Sequence, residues 1–303
     1  MGWACPALSA RAGLAFVNPL GYNARNLMYL EFLGLREKPF AVTSDPAFLY
    51  LSRRHREALS HMIYGIRERK GFIAITGEIG TGKTTLCKAL LRQLDPATKT
   101  ALILHSGLSE LQLLQTIVQD FGLNPLRRNR LTLFHQLNSF LLEQGGLGHN
   151  PVLIIDEAQN LTPRVLEQIR MLSNLETDKD KLIQIILVGQ PQLNEQLKLP
   201  SMEQIHQRIS VRYHIQPLDE DEVRTYIDHR LQLAGSDGSV AWTNDALEEI
   251  YRRSRGIPRL INSICDRALL ACYVFQVKVV DGAIVQRSYQ ELMGEIPQPE
   301  AVA

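Results

Sequence analysis

Eight consecutive residues, Gly77-Glu78-Ile79-Gly80-Thr81-Gly82-Lys83-Thr84, carry the spacing Gly, four residues, Gly-Lys-Thr. Phosphate oxygens need several donors converging on them. Glycines allow a loop to turn its backbone N–H groups inward and to approach an anion closely, and a helix that starts there adds the positive end of its dipole. Lys83 then supplies a mobile cation for β- and γ-phosphates, and the Thr84 hydroxyl supplies an oxygen ligand for Mg²⁺ bridging them. The chemistry is that of a nucleoside triphosphate site, with ATP and Mg²⁺ as the expected cofactors.

A second cluster lies 73 residues beyond Lys83, where the apolar run Pro151-Val152-Leu153-Ile154-Ile155 ends in Asp156-Glu157. Asp156 suits capture of the same metal from beyond its first shell, and Glu157 suits polarisation of a water for attack on the γ-phosphate. Thr84 and Asp156 are therefore the candidate metal residues. A third apolar run, Leu182 to Val188, ends in Gly189-Gln190. Gln190 has two readings: an amide holding the attacking water or γ-phosphate, or a loop glutamine capping the helix that Pro191 opens.

These groups need a frame. Phe72-Ile73-Ala74-Ile75-Thr76 before the glycine loop is short and apolar enough for a buried parallel strand, and Leu86 to Leu91 after it recurs with helical spacing. Ala101 to Leu104 reads as a second strand, the run into Asp156 as a third and the run into Gln190 as a fourth. Val211-Arg212-Tyr213-His214-Ile215 alternates as a fifth. Helices are expected between them, over 109–121, 131–144, 163–175, up to 199 and over 202–207, after one from His55 to about Arg69. Phe48 and Tyr50 precede that first helix as base contacts or as core aromatics.

From Pro217 the composition turns helical. Asp219-Glu220-Asp221-Glu222 puts acids in a first turn, where the helix dipole favours them, and Gly256-Ile257-Pro258-Arg259 stops one helix and starts the next. Helices over 219–233, 244–254, 258–273 and 281–292 form a small all-helical unit. The expected organisation is a nucleotide-binding domain over 28–217, a helical lid over 218–292 and a disordered tail over 293–303. Residues 1–27 read as a flexible tail, a membrane-surface contact or translated sequence upstream of a start at Met28.

Composition bounds the partners. The 33 Lys and Arg nearly cancel the 32 Asp and Glu, so no global field draws the chain to nucleic acid or an anionic membrane. Any such contact is local, through Arg53-Arg54-His55-Arg56, Arg127-Arg128 or Arg252-Arg253-Ser254-Arg255. The longest apolar run, Ala268 to Phe275, falls well short of the ~20 residues a membrane helix needs. Cys5, Cys87, Cys265 and Cys272 form no metal-type pairing with one another or with histidine. Cys265 and Cys272, seven apart, read as small core residues on one helical face of a protein from a reducing cytoplasm.

Taken together, Met28-Tyr29-Leu30-Glu31-Phe32, Thr76 to Cys87, Ile155-Asp156-Glu157-Ala158-Gln159, Leu175-Glu176-Thr177, Val188 to Leu193, Gln207-Arg208-Ile209 and Gly256 to Asn262 resemble the AAA+ ATPases. Within them they resemble the secretion-pathway A (ExeA-like) proteins and, most closely, the short MSHA type IV pilus-biogenesis members. The resemblance runs from Met28 to about Leu292. It implies an α/β P-loop AAA+ domain whose five-stranded parallel sheet is sandwiched by helices and followed by the lid, working as a homo-oligomeric ring or arc. It extends the nucleotide contacts to Thr85. Arg208 matches an arginine finger given to a neighbour's γ-phosphate, with Arg212 in reserve, and Arg259 matches the lid arginine that senses the same phosphate in cis.

It further implies a cytoplasmic ATP hydrolase, peripheral at the inner membrane of a Gram-negative bacterium. Its partners would be pilus or type II secretion proteins. The alternative is a DNA-associated ATPase of the transposon target-selection or replication-loader type.

Overall fold

The computed structural model describes residues 29–41, 48–104, 107–176 and 181–295. The expectations for residues 1–27 and for the tail from 296 onward lie outside the described residues.

Five strands form one parallel sheet: β1 (Phe72–Gly77), β2 (Thr100–Ile103), β3 (Val152–Ile155), β4 (Gln184–Gly189) and β5 (Ile209–Ile215), in the order β2-β3-β4-β1-β5. The three inner strands are buried at every position, as a parallel sheet covered by helices on both faces requires. The edge strand β5 starts two residues before the alternating segment, at Ile209, and exposes Ser210 and Arg212.

Successive side chains point to opposite faces, and the two faces have separate cores. Ile73, Ile75, Ile154, Ile186 and Val188 pack against α1 (Arg53–Arg67) and α2 (Lys83–Gln93). Phe72, Ala74, Leu153, Ile155, Ile185 and Leu187 pack against α3 (Glu110–Asp120), α4 (Arg130–Gly146) and α5 (Pro163–Leu172). After β4 come α6 (Gln192–Leu197) and, beyond a 3₁₀ turn, α7 (Glu203–Arg208).

This strand order positions the chemistry. The ends of β1, β4 and β3 lie side by side, so Gln190 falls between the glycine loop and Asp156-Glu157 at the carboxyl edge, where ligands of open α/β sheets collect.

The chain then builds α8 (Glu220–Leu233), α9 (Asn244–Ser254), α10 (Pro258–Phe275) and α11 (Gly282–Leu292). Asp219 and Glu222 close a reciprocal capping box on α8. A two-residue parallel ladder, Ala241–Trp242 with Val279–Val280, ties the unit together, so it is not made of helices alone. Cys265 and Cys272 are buried in it.

Its core also contains Tyr29, Leu30, Leu33, Leu35, Phe40 and Phe48. The segment that precedes the sheet domain in sequence thus packs with the helical unit that follows it. Phe40 sits edge-on to Trp242 at 6.1 Å, Arg36 N–H donates to Ala234 C=O at 2.8 Å, and Asp237 N–H donates to Gly34 C=O at 3.1 Å. Burying one phenylalanine contributes on the order of 2–3 kcal/mol, so several together hold this strap firmly.

Candidate nucleotide-binding site

A cleft of about 250 Å³ opens between the sheet's carboxyl edge and the helical unit. Ile79, Gly80, Thr81, Gly82, Lys83, Thr84 and Thr85 line one wall, Glu157 and Gln190 the floor, and Pro258, Arg259 and Asn262 the opposite side.

The loop's shape explains its glycines. Gly80 and Gly82 have φ of +82° and +92°, left-handed values that cost residues with a Cβ. A Cβ on Gly80 would also approach the Arg259 Cβ to 2.7 Å. The helical unit touches the loop there, with the Arg259 N–H donating to Gly80 C=O at 3.3 Å.

Lys83 curls over the loop and donates to Gly77 C=O at 2.9 Å and Glu78 C=O at 2.8 Å. Burial pushes its pKa down, while the Glu157 and Asp156 carboxylates pull it back up. The Thr84 hydroxyl donates to Asp156 Oδ2 at 2.5 Å, and the Glu157 N–H donates to Asp156 Oδ1 at 2.9 Å. Asp156 is 2% exposed, and burial pushes its pKa up against those two donors. A buried carboxylate met by neutral donors, beside a hydroxyl at a phosphate loop, is a set of hard oxygen groups suited to Mg²⁺. Among the described residues no cluster of three or more His, Cys, Asp or Glu could hold a metal, so any Mg²⁺ here would rest on a hydroxyl, a carboxylate and the nucleotide.

Glu157 has a left-handed backbone, φ +52°. Its Oε2 receives two amides, Gln159 Nε2 at 2.5 Å and Gln190 Nε2 at 3.2 Å, and Gln159 Oε1 in turn accepts from the Gln190 N–H at 3.0 Å. Gln190 therefore grips the carboxylate directly. Gln159 is a partner that sequence reasoning missed as a site residue, although it stands in the Asp-Glu-Ala-Gln segment.

Two further contacts tie neighbouring elements to the loop's base. Asn194 Nδ2 donates to Thr76 Oγ1 at 3.0 Å, and His214 Nδ1 meets the same hydroxyl at 3.0 Å. No local pattern marks either residue, because each depends on which strands become neighbours.

Phe48 and Tyr50 pack with the helical unit as core aromatics and also line the cleft. The Arg230 guanidinium covers Phe48 at 4.9 Å, and Tyr50 meets Tyr226 edge-on at 5.6 Å. Arg230 is buried and donates to Pro39 C=O at 2.5 Å and Ala41 C=O at 3.1 Å.

The arginines separate. The exposed Arg259 lines the cleft. Arg208 ends α7 immediately before β5, whose first residue, Ile209, is in register with Phe72 at the start of β1 rather than with the loop at its end, roughly 17 Å away along six strand residues. Its guanidinium donates to Ser173 Oγ at 3.1 Å and to Asn174 Oδ1, neutral acceptors both. Arg212, exposed on the same edge strand, donates to His206 C=O at 2.6 Å.

Of the basic groups, Arg53 pairs with Glu57, and Arg252 and Arg253 pair with Glu249. His55 is buried, 4% exposed, and is no part of a cationic surface. Arg127 and Arg128 are exposed.

A parallel sheet with a glycine loop after β1, acids after β3 and an amide after β4 defines a P-loop protein of the AAA+ fold. Residues 66–197 match the family model described as AAA domain. The chain is 45% identical over 265 residues to General secretion pathway protein A of Aeromonas hydrophila, which aligns with 87% of this chain. The chain spans about half, 48%, of that relative's length.

Solved structures share the fold. ORC2 of Aeropyrum pernix, determined as ADPNP and ADP complexes, superposes with TM-score 0.62 at 20% identity, covering 85% of this chain and 72% of that one. Drosophila ORC bound to DNA gives 0.62 at 19%, covering 96% and 71%. The RuvB Holliday junction branch migration motor of Thermotoga maritima gives 0.52 at 19%, covering 78% and 68%. Among the described residues no helix is long and apolar enough to cross a membrane.

Proposed function

We propose that the chain is a Mg²⁺-dependent ATP hydrolase that acts as a homo-oligomer. The observation that carries this is the convergence of Lys83, the Thr84–Asp156 pair and the amide-held Glu157 on one cleft. The loop N–H groups of residues 77–84 and Thr85 grip the phosphates, and Lys83 offsets charge on the β- and γ-oxygens. Thr84 and Asp156 would hold Mg²⁺, whose charge offsets the same oxygens when bound. Glu157 accepts the proton of the attacking water, oriented by Gln190. Arg259 reads the γ-phosphate from the lid over 218–292, while the sheet domain runs to residue 217.

Arg208 is the group we assign to a neighbour's site. It is too far from its own cleft, and although the Glu167 and Glu176 carboxylates lie within its electrostatic reach, its hydrogen-bond acceptors are the neutral Ser173 and Asn174, which an incoming phosphate can outcompete. Arg212 is the second candidate on the same edge.

The 45% identity with General secretion pathway protein A supports work on a type II secretion or type IV pilus apparatus at the cytoplasmic face of the inner membrane. A second reading, a DNA-associated ATPase, rests on the exposed Arg127 and Arg128. Arg53, Arg252 and Arg253 are paired within the chain and the formal net charge is only +1, which leaves a small footprint for phosphate backbones.

The test is steady-state ATP turnover at increasing protein concentration, with and without duplex DNA, using Lys83→Ala as the blank. Turnover per chain that rises with concentration and ignores DNA supports the first reading. Stimulation by DNA that is lost when Arg127 and Arg128 are neutralised favours the second. No turnover above the Lys83→Ala blank in any condition rejects both.

A further inference from the structure

His55 is the third residue of α1, 26 positions before Thr81, yet its ring lies against the phosphate loop. Its Nε2 is 2.8 Å from Thr81 C=O and its Nδ1 is 2.8 Å from Ser52 Oγ. Ser52 is the N-cap of α1 and is itself 1% exposed. A carbonyl only accepts, so Nε2 carries the proton and donates to Thr81 C=O. Nδ1 is then a bare acceptor for the Ser52 O–H, while Ser52 Oγ accepts the His55 N–H at 3.3 Å. One tautomer, the neutral Nε2–H form, satisfies every group. Burial pushes the imidazole pKa down, opposed by the Thr81 carbonyl and the Glu222 carboxylate, which keeps the ring uncharged near neutrality.

The consequence lies on the far side of the peptide plane. In a trans peptide the C=O of one residue and the N–H of the next point in opposite directions, and none of the described peptide bonds is cis. Pulling Thr81 C=O onto His55, which lines the same cleft as the loop, therefore turns the Gly82 N–H away from the ring and fixes the orientation of that peptide. Thr81 is further tethered by its hydroxyl, which donates to Glu78 C=O at 2.8 Å. A Cβ on Gly82 would come within 3.2 Å of His55 Nε2, so the loop rests directly on the imidazole. The peptide so fixed is the one just before Lys83 and the first turn of α2.

We infer that His55 is a positioning residue for the phosphate grip: a neutral buried donor that orients the Thr81–Gly82 peptide so that its N–H meets the nucleotide's phosphate oxygens. The inference rests on the nucleotide-site reading and adds a group outside the loop to it. Preorganised backbone donors are effective because they cost no reorganisation when the anion arrives. Without the imidazole tether, Gly82 is free to rotate that peptide, since it lacks the Cβ that would restrict it.

The test is titration of the full chain with ADP, alongside thermal unfolding without nucleotide. His55→Leu keeps an apolar side chain of similar bulk but removes the donor, whereas His55→Gln returns an N–H at comparable reach. The expected result is a rise in the ADP Kd of about tenfold or more for His55→Leu, recovery to within about threefold of wild type for His55→Gln, and a Tm for both within a few degrees of wild type. Binding by His55→Leu within about twofold of wild type overturns the inference. So does equal loss in both variants that parallels their loss of Tm, which marks a purely structural histidine. Lys83→Ala measured beside them separates the levels: if it binds ADP normally, the phosphate site itself is misassigned and the inference falls with it.

Discussion

The Thr84 hydroxyl donates to the Asp156 carboxylate at 2.5 Å, joining the first turn of α2 to the end of β3 across the floor of the cleft. The two groups are 72 residues apart in sequence and meet because β4 alone separates β1 from β3.

That placement has a cost. Asp156 is 2% exposed and held by neutral donors, so its charge is kept in a poorly solvated place for function. Asp156→Asn retains both contacts, its Nδ2 facing Thr84 and its Oδ1 facing the Glu157 N–H, without the charge. The expected outcome in thermal unfolding without nucleotide is a gain of about 1 kcal/mol, roughly 2–4 °C in Tm, together with loss of Mg²⁺-dependent ATP turnover. A loss of Tm contradicts this account.

Gln159 orients the Glu157 carboxylate from one side and the Gln190 backbone from the other. A hydrogen bond to a charged group contributes about 1.5–3 kcal/mol. Gln159→Leu is therefore expected to lower ATP turnover about tenfold or more while the Kd for ATP stays within about twofold. Unchanged turnover in steady-state kinetics removes Gln159 from the site.

Arg208 is bound to Ser173 and Asn174, away from its own cleft, and the proposed role for it is in a neighbour's site. Arg208→Ala is expected to leave ATP binding intact and to lower turnover at least about 10²-fold in the assembled state. Mixing it with Lys83→Ala chains should restore activity at interfaces where the second supplies the arginine and the first the site. Full activity of Arg208→Ala with loss in Arg212→Ala transfers the role to Arg212.

His55 also sets a pH response. Its folded pKa is lowered by burial, so the unfolded chain binds the proton more readily. The stability contribution is present above the ordinary histidine value of about 6.5 and is lost as pH falls through it toward the lowered folded value. Between about pH 7.5 and 5.5 the wild-type Tm is expected to fall further than that of His55→Leu. Parallel curves contradict a buried neutral imidazole.

The sequence disclosed what short segments encode by themselves. The glycine loop, Asp156-Glu157 and Gln190 each end an apolar run, and the α/β alternation follows from the same runs. What it withheld depends on contacts between distant segments. His55 stands among Arg53, Arg54 and Arg56 and reads as part of a charged surface; only the packing of α1 turns it inward. Residues 29–41 and Phe48 give no sign that their apolar side chains match α8 and α10 rather than the sheet they precede. The Ala241–Trp242 and Val279–Val280 ladder is too short to show a period against its helical surroundings.

The proposed hydrolysis depends most directly on Glu157 as the group that activates the attacking water. The measurement is ATP affinity and steady-state turnover of Glu157→Gln beside wild type and Lys83→Ala. Glu157→Gln is expected to bind ATP within about threefold of wild type while turnover falls about 10²–10⁴-fold, and Lys83→Ala to lose binding. Wild-type turnover by Glu157→Gln, or loss of ATP binding equal to that of Lys83→Ala, contradicts that role for Glu157.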